Sequence, residues 1–99
     1  MTKAQRHMQR VSELPCVACL QMGFTNYGVD VHHILRNGRR IDHYHTLPLC
    51  PDHHRGGMND SLCVSRHPWK REFIARYGTE ERLLEITQEM LDETQTLGA

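Results

Sequence analysis

"VDVHHILRNGRRIDHYHTLPLCPDHHRGG", residues 29–57, holds six of the eight histidines in a chain of 99 residues. Two His-His pairs, His32-His33 and His53-His54, stand on either side of a basic stretch. Near the Gly28 boundary, "GVDVHHI" reads as a short strand with Val29, Val31 and Ile34 as its apolar positions. Asn37-Gly38 is a strong tight-turn signal inside a turn-rich connection. "HTLPLC" is a second short apolar run, which Pro48 demotes to an edge strand or a barely regular one. Pro51 suits the first turn of a short helix carrying His53 and His54, and Gly56-Gly57 ends it. Strand, connection, strand and short helix make an α+β pattern.

Upstream, "CVACLQMG" sets Cys16 and Cys19 two residues apart, the turn of a metal knuckle. Cys16-x2-Cys19 and Cys50-x2-His53 are two half-sites, each offering two ligands from one tight turn. Three thiolates and one imidazole suit tetrahedral zinc. Soft thiolates select zinc over magnesium or calcium. Cys63 has no partner at matching spacing. It reads as a core residue, or as a substitute for His53 in the fourth position. If His53 serves the scaffold, His54 beside it points elsewhere. His32 and His33 are neighbours on a strand and face opposite sides. One can bind an ion while the other stands off as a base, if the strand bends. Neutral imidazole ligates, and it titrates near neutrality.

Composition sets the frame. A chain this short reads as one domain with a small core. Hydrophobic content is 38% and aromatics 6%, so a bound ion is expected to supply part of the folding energy. The N-terminus, MTKAQRHMQR, has no apolar stretch behind its charges, which argues against a signal peptide. No apolar run reaches the roughly 18 to 20 residues of a membrane span. The cytoplasm is the expected compartment, where four cysteines favour metal ligation over disulfides. Formal net charge is zero, but residues 1–78 carry 11 Lys+Arg against 6 Asp+Glu, and residues 79–99 carry 1 against 6. A basic body with an acidic tail can still bind phosphates locally.

The flanks read more simply. Residues 3–13 are a helix or a loose arm, whose Lys3, Arg6 and Arg10 face a phosphate backbone or solvent. "SLCVSRHPWKREFIARYG" reads as a loop, then a helix from about Pro68 to Tyr77, with Trp69, Phe73, Ile74 and Tyr77 as a core stripe. Thr79 can cap a last helix, with Glu80 and Glu81 in its first turn favoured by the dipole. Leu83, Ile86, Met90 and Leu91 give that helix one apolar face.

Read together, these residues resemble the HNH, or ββα-metal, endonucleases: an Asp/His-His pair on one strand, a loop, an Asn or His opening a second strand before "LC", and a His on the helix after a knuckle. "CVAC…VHHILRNGRR…H…LPLCPDHHR" with "F…YGTE…LL" is similar to the phage recombination enhancement function proteins, the Ref-like, RecA-dependent nucleases, over roughly residues 14–91. Only residues 1–13 stand where those proteins carry a basic extension.

The resemblance implies a zinc-stapled ββα-metal core over 14–78, a basic arm or helix over 1–13 and a C-terminal helix over 79–94, in a single domain spanning 1–99. It implies His33 as general base, His32 and His54 as ligands of a catalytic Mg, Mn or Zn ion, His45 in the Asn position, and His67 as a further ligand. Arg36, Arg39, Arg40 and Arg55 clamp flanking phosphates, or form a solvated turn. Asp30 is a candidate acceptor fixing a histidine tautomer, while His7 and His43 have no assigned role. The implied activity is metal-dependent hydrolysis of DNA phosphodiester bonds, with a RecA-type recombinase filament as partner. The rival reading is a non-catalytic zinc-binding module for nucleic acid or protein. One structural site needs four ligands, and this chain supplies more. A His-rich storage or sensor protein would not need such specific turns.

Overall fold

A computed structural model describes residues 1–98, with the side chains of residues 1–94; residue 99 lies outside the described residues. Helix α1 (Lys3–Ser12) is capped by Thr2, whose side chain accepts from Gln5 N–H while the Gln5 side chain accepts from Thr2 N–H. The residue types for a capping box are in place, so this segment is a helix rather than a loose arm. After it come α2 (Val17–Gln21), β1 (Asp30–His33), β2 (Leu35–Arg36), β3 (Arg39–Arg40), β4 (Thr46–Leu49), α3 (Pro51–His54), α4 (Lys70–Tyr77) and α5 (Glu80–Gly98).

The strands β1 and β4 pair antiparallel, with Asp30 opposite Leu49 and His33 opposite Thr46. All four residues of β4 are buried, because α1, α2, α3 and α5 all pack around it. A strand covered on both faces loses the alternation of a half-exposed one. Pro48 is tolerated because β1 is the only strand paired with β4 among the described residues, leaving its other side free of a ladder. Between them, β2 and β3 form a hairpin around Asn37 (φ 54°) and Gly38 (φ 76°). Two successive positive φ values define a type I′ turn, which Asn-Gly fits without strain.

Pro51 opens α3, a helix of four residues packed on β1 and β4. Together β1, β4 and α3 are a ββα-metal unit, and α4 and α5 are the helices added after it. A helix so short leaves its last carbonyls without helical partners. Here Arg66 N–H donates to His53 O at 2.7 Å, and His67 N–H donates to His54 O at 2.9 Å. Downstream, α4 begins at Lys70, two residues later than the sequence suggests. Phe73 and Tyr77 join the core, but Trp69 is 37% exposed and donates its indole N–H to Gly57 O. The core stripe is therefore shorter than its spacing implies. Thr79 caps α5 by accepting from Arg82 N–H at 3.1 Å, and Leu83 and Leu91 are buried as expected.

The main core gathers Val17, Leu47, Leu49, Val64, Phe73 and Leu83 around Cys16, Cys19 and Cys50. A second cluster, Val11, Leu14 and Leu91, joins α1 to α5, and the Arg10 guanidinium donates to Leu91 O at 2.8 Å. The thiols thus sit inside the hydrophobic centre rather than at its edge.

Candidate metal centres

Among the described residues, two groups bring ligand atoms together within 4.8 Å of one another: Cys16, Cys19, Cys50 and His53, and His32, His54 and His67.

The first group is fully buried. Cys16 N-caps α2, and Cys19 N–H donates to the Cys16 sulfur at 3.4 Å. Cys16 N–H donates to Asn26 O, and the Asn26 amide donates to the Cys19 sulfur, so the loop after α2 folds back over the knuckle. Cys19 and Cys50 sulfurs are 3.9 Å apart. His53 Nδ1 lies 3.2, 3.4 and 3.7 Å from the sulfurs of Cys50, Cys19 and Cys16. Donors about 2.0 to 2.3 Å from one tetrahedral ion stand about 3.5 to 3.8 Å apart, so these four fit zinc. Nδ1 faces the sulfurs; with Nδ1 as the ligand atom, Nε2 keeps its proton and points it at the Tyr77 hydroxyl, 2.9 Å away. That oxygen also accepts from Val64 N–H at 3.1 Å, which fixes the ring from outside. Burial pushes the Cys16 thiol up to about 12 and raises Cys50, so the thiolates need a cation in their midst. Cys63 is buried and stands outside this group.

The second group converges from three elements. His32 comes from β1, His54 from α3 and His67 from the segment that caps α3. Their ring centroids are 5.1, 5.3 and 5.4 Å apart, a nearly equilateral triangle. Two carboxylates hold two of the rings from behind. His32 Nε2 lies 2.8 Å from Glu80 Oε2, and His54 Nδ1 lies 3.0 Å from Asp30 Oδ2. Each contact leaves the other ring nitrogen free to ligate, the usual support of a metal-bound histidine. Burial lowers the basicity of His54, against the pull of Asp30. Burial and the Arg66 charge bring His67 down to about 4. Neutral imidazoles are the ligating form. Three imidazoles with no fourth protein ligand in the group fit a divalent ion that keeps an open position.

These rings line a cleft of about 100 Å³ together with Val31, His33, Leu35, Arg40 and Arg55. His33 is therefore at the same opening as His32, although the two alternate along β1. Its Nε2 lies 2.9 Å from His43 Nδ1, and burial with the Arg40 charge lowers its pKa. The sequence gives His43 no role, yet it is the ring that touches the candidate base. Only a ten-residue excursion through the β2–β3 hairpin brings the two together, so no local spacing announces it.

His45 is not among the cleft-lining residues. Its Nδ1 lies 2.8 Å from Asp42 Oδ1, and its carbonyl accepts from Ile34 N–H, so it helps close the connection between the hairpin and β4. Arg40 and Arg55 reach the cleft. Arg36 and Arg39 do not; with Arg40 they line a separate open hollow of about 540 Å³ along the hairpin. Glu80 departs most from its sequence reading. It is 4% exposed, not a solvated first-turn acid, and its other oxygen is 3.2 Å from the Arg66 guanidinium. Burial alone would raise its pKa, but the His32 contact and the Arg66 charge hold it low.

No helix among the described residues is long and apolar enough to cross a membrane. No curated protein matches the chain. One family profile, described as recombination enhancement, RecA-dependent nuclease, matches residues 1–92. With a buried three-cysteine, one-histidine cluster and a separate histidine group set around a ββα unit, the chain belongs to the recombination enhancement, RecA-dependent nuclease family.

Proposed function

We propose that this chain is a metal-dependent endonuclease that hydrolyses DNA phosphodiester bonds at the histidine-lined cleft. The observation that carries the reading is the shared opening: His32, His54 and His67, the His33 ring, and the Arg40 and Arg55 guanidinium groups all line one cleft. A divalent ion held by the three imidazoles would stabilise negative charge on the scissile phosphate and on the leaving 3′ oxygen. Of zinc, manganese and magnesium, imidazole donors suit zinc best there.

His33 takes a proton from the attacking water. Its Nε2 is engaged with His43, so Nδ1 is the atom that accepts that proton. The water oxygen bonds to phosphorus as the bond to the 3′ oxygen breaks, leaving a 5′ phosphate and a 3′ oxygen that takes a proton from solvent to become the hydroxyl. Arg40 and Arg55 neutralise the phosphate as it enters the cleft. Arg36 and Arg39, on the exposed hairpin, contact phosphates further along the strand. His45 acts indirectly, by fixing the connection that carries His43. The family's description names RecA, and we extend to this chain a recombinase filament as the context in which DNA is presented.

The test is a plasmid-nicking assay on zinc-loaded protein with added divalent ions, run with and without a RecA filament. Nicking is expected, with His33→Ala slowing it about 10²- to 10⁴-fold while bound metal is unchanged. Equal nicking by His33→Ala removes the base assignment. Failure of every divalent ion to support cutting, filament included, leaves a zinc-binding nucleic-acid module instead.

A further inference from the structure

Glu80 is a buried acid that the dipole of α5 does not account for. Glu81, the next residue of the same first turn, is exposed and serves that dipole from solvent. A carboxylate is withdrawn from water at a cost unless it is paired. Glu80 is paired twice. Oε2 meets His32 Nε2 at 2.8 Å, and Oε1 meets Arg66 Nη2 at 3.2 Å. Both partners are themselves buried, His32 at 2% and Arg66 at 5% exposure.

The two partners belong to different parts of the site. His32 is one corner of the histidine triangle. Arg66 donates its backbone N–H to the carbonyl of His53, a member of the cysteine cluster, and is followed by His67, another corner of the triangle. An acceptor at Nε2 puts the ring proton of His32 on that nitrogen. The lone pair is then left on Nδ1. Of the two carboxylates that back the rings, Asp30 comes from the ββα unit itself, whereas Glu80 is delivered by a helix outside it.

We propose that Glu80 is a positioning residue for the cation site: it fixes His32 as an Nδ1 ligand, and Arg66 holds Glu80 in place. The proposal rests on the reading of His32, His54 and His67 as a cation site. It makes the docking of α5 a condition for tight binding of the second ion, although α5 supplies no ligand to it. The structural zinc does not depend on it.

The 99-residue protein loaded with one zinc is titrated with further Zn²⁺ against a chromophoric chelator, and bound zinc is counted. Glu80→Ala is expected to weaken the second equivalent about 10- to 100-fold and leave the first untouched. Glu80→Gln should recover part of that loss, since its amide oxygen still accepts from His32 Nε2–H. Glu81→Gln should change neither. Nitrogen-15 NMR of His32 in the wild-type chain gives a readout that a merely structural role would not fix: Nε2–H is expected.

If the second equivalent binds Glu80→Ala and Glu80→Gln as tightly as the wild type, or if His32 carries its proton on Nδ1, the positioning role is wrong while the cation site stands. If the wild type takes up one equivalent only, the cation site fails and the proposal with it.

Discussion

His53 and His54 are consecutive in α3, yet they serve centres of opposite design. The cysteine cluster has four donors, all buried. The histidine group has three donors, with His67 only half-buried, and it opens on a cleft. Structural zinc sites are closed, and reactive ones keep a position free. Softness divides them as well: sulfur dominates one set and is absent from the other. A one-turn helix can divide two adjacent side chains in this way because successive residues point about 100° apart around it. The lesson is that ligand count and burial separate a closed centre from an open one, even where the ligands are sequence neighbours.

The hardest way to break the comparison is to open the closed centre. Cys50→Ala removes a thiolate from the middle of the main core. Zinc in small domains contributes roughly 10–16 kcal/mol apparent at neutral pH, against a net stability of about 5–15 kcal/mol. The variant is expected to lose its metal and its cooperative thermal transition together, read by metal counting and circular dichroism. A Cys50→Ala protein that still melts cooperatively without zinc would show that the core stands without its staple.

Acid separates the centres less drastically. With the second centre empty, burial holds His54, His67 and His33 below their ordinary value of 6.5, His67 at about 4. The unfolded chain takes up protons below about 6.5 that the folded chain refuses. Stability is therefore full above that value and falls as the pH drops toward about 4. Urea midpoints measured from neutrality downward should fall through this window. A flat profile would mean that these rings are solvated.

The smallest effect sharpens the boundary of the open centre. Arg40 lines the cleft, whereas Arg39 lines only the hairpin hollow. Arg40→Ala should lower the slope of log affinity for duplex DNA against log salt by about 0.9, and also slow cutting. Arg39→Ala should change the slope alike and spare the turnover of bound DNA. Equal loss of turnover in both would place the hairpin inside the reacting centre.

Much of this design is legible in the sequence because it is local. Two ligands from one turn, an Asn-Gly hairpin and a Pro-initiated helix each leave a mark within a few residues. What is not legible is carried by distance. His32 and Glu80 meet across 48 positions. Before folding, Glu80 looks like any acid at a helix start. His43 looks like a surface ring until the hairpin returns it to His33. The five-residue α2 is too short for any periodicity to stand out. Trp69 shows the opposite error: its spacing promises core, but its place before the first turn of α4 leaves it half in solvent.

The amides of Arg66 and His67 cap the carbonyls of His53 and His54, so each centre is spliced to the same two-residue stretch. Peeling that stretch away would uncap α3 and loosen both ligand sets in one movement. Stripping the zinc from the cysteine cluster would then disturb the histidine set as well, whereas emptying the histidine set leaves the cysteine cluster in place.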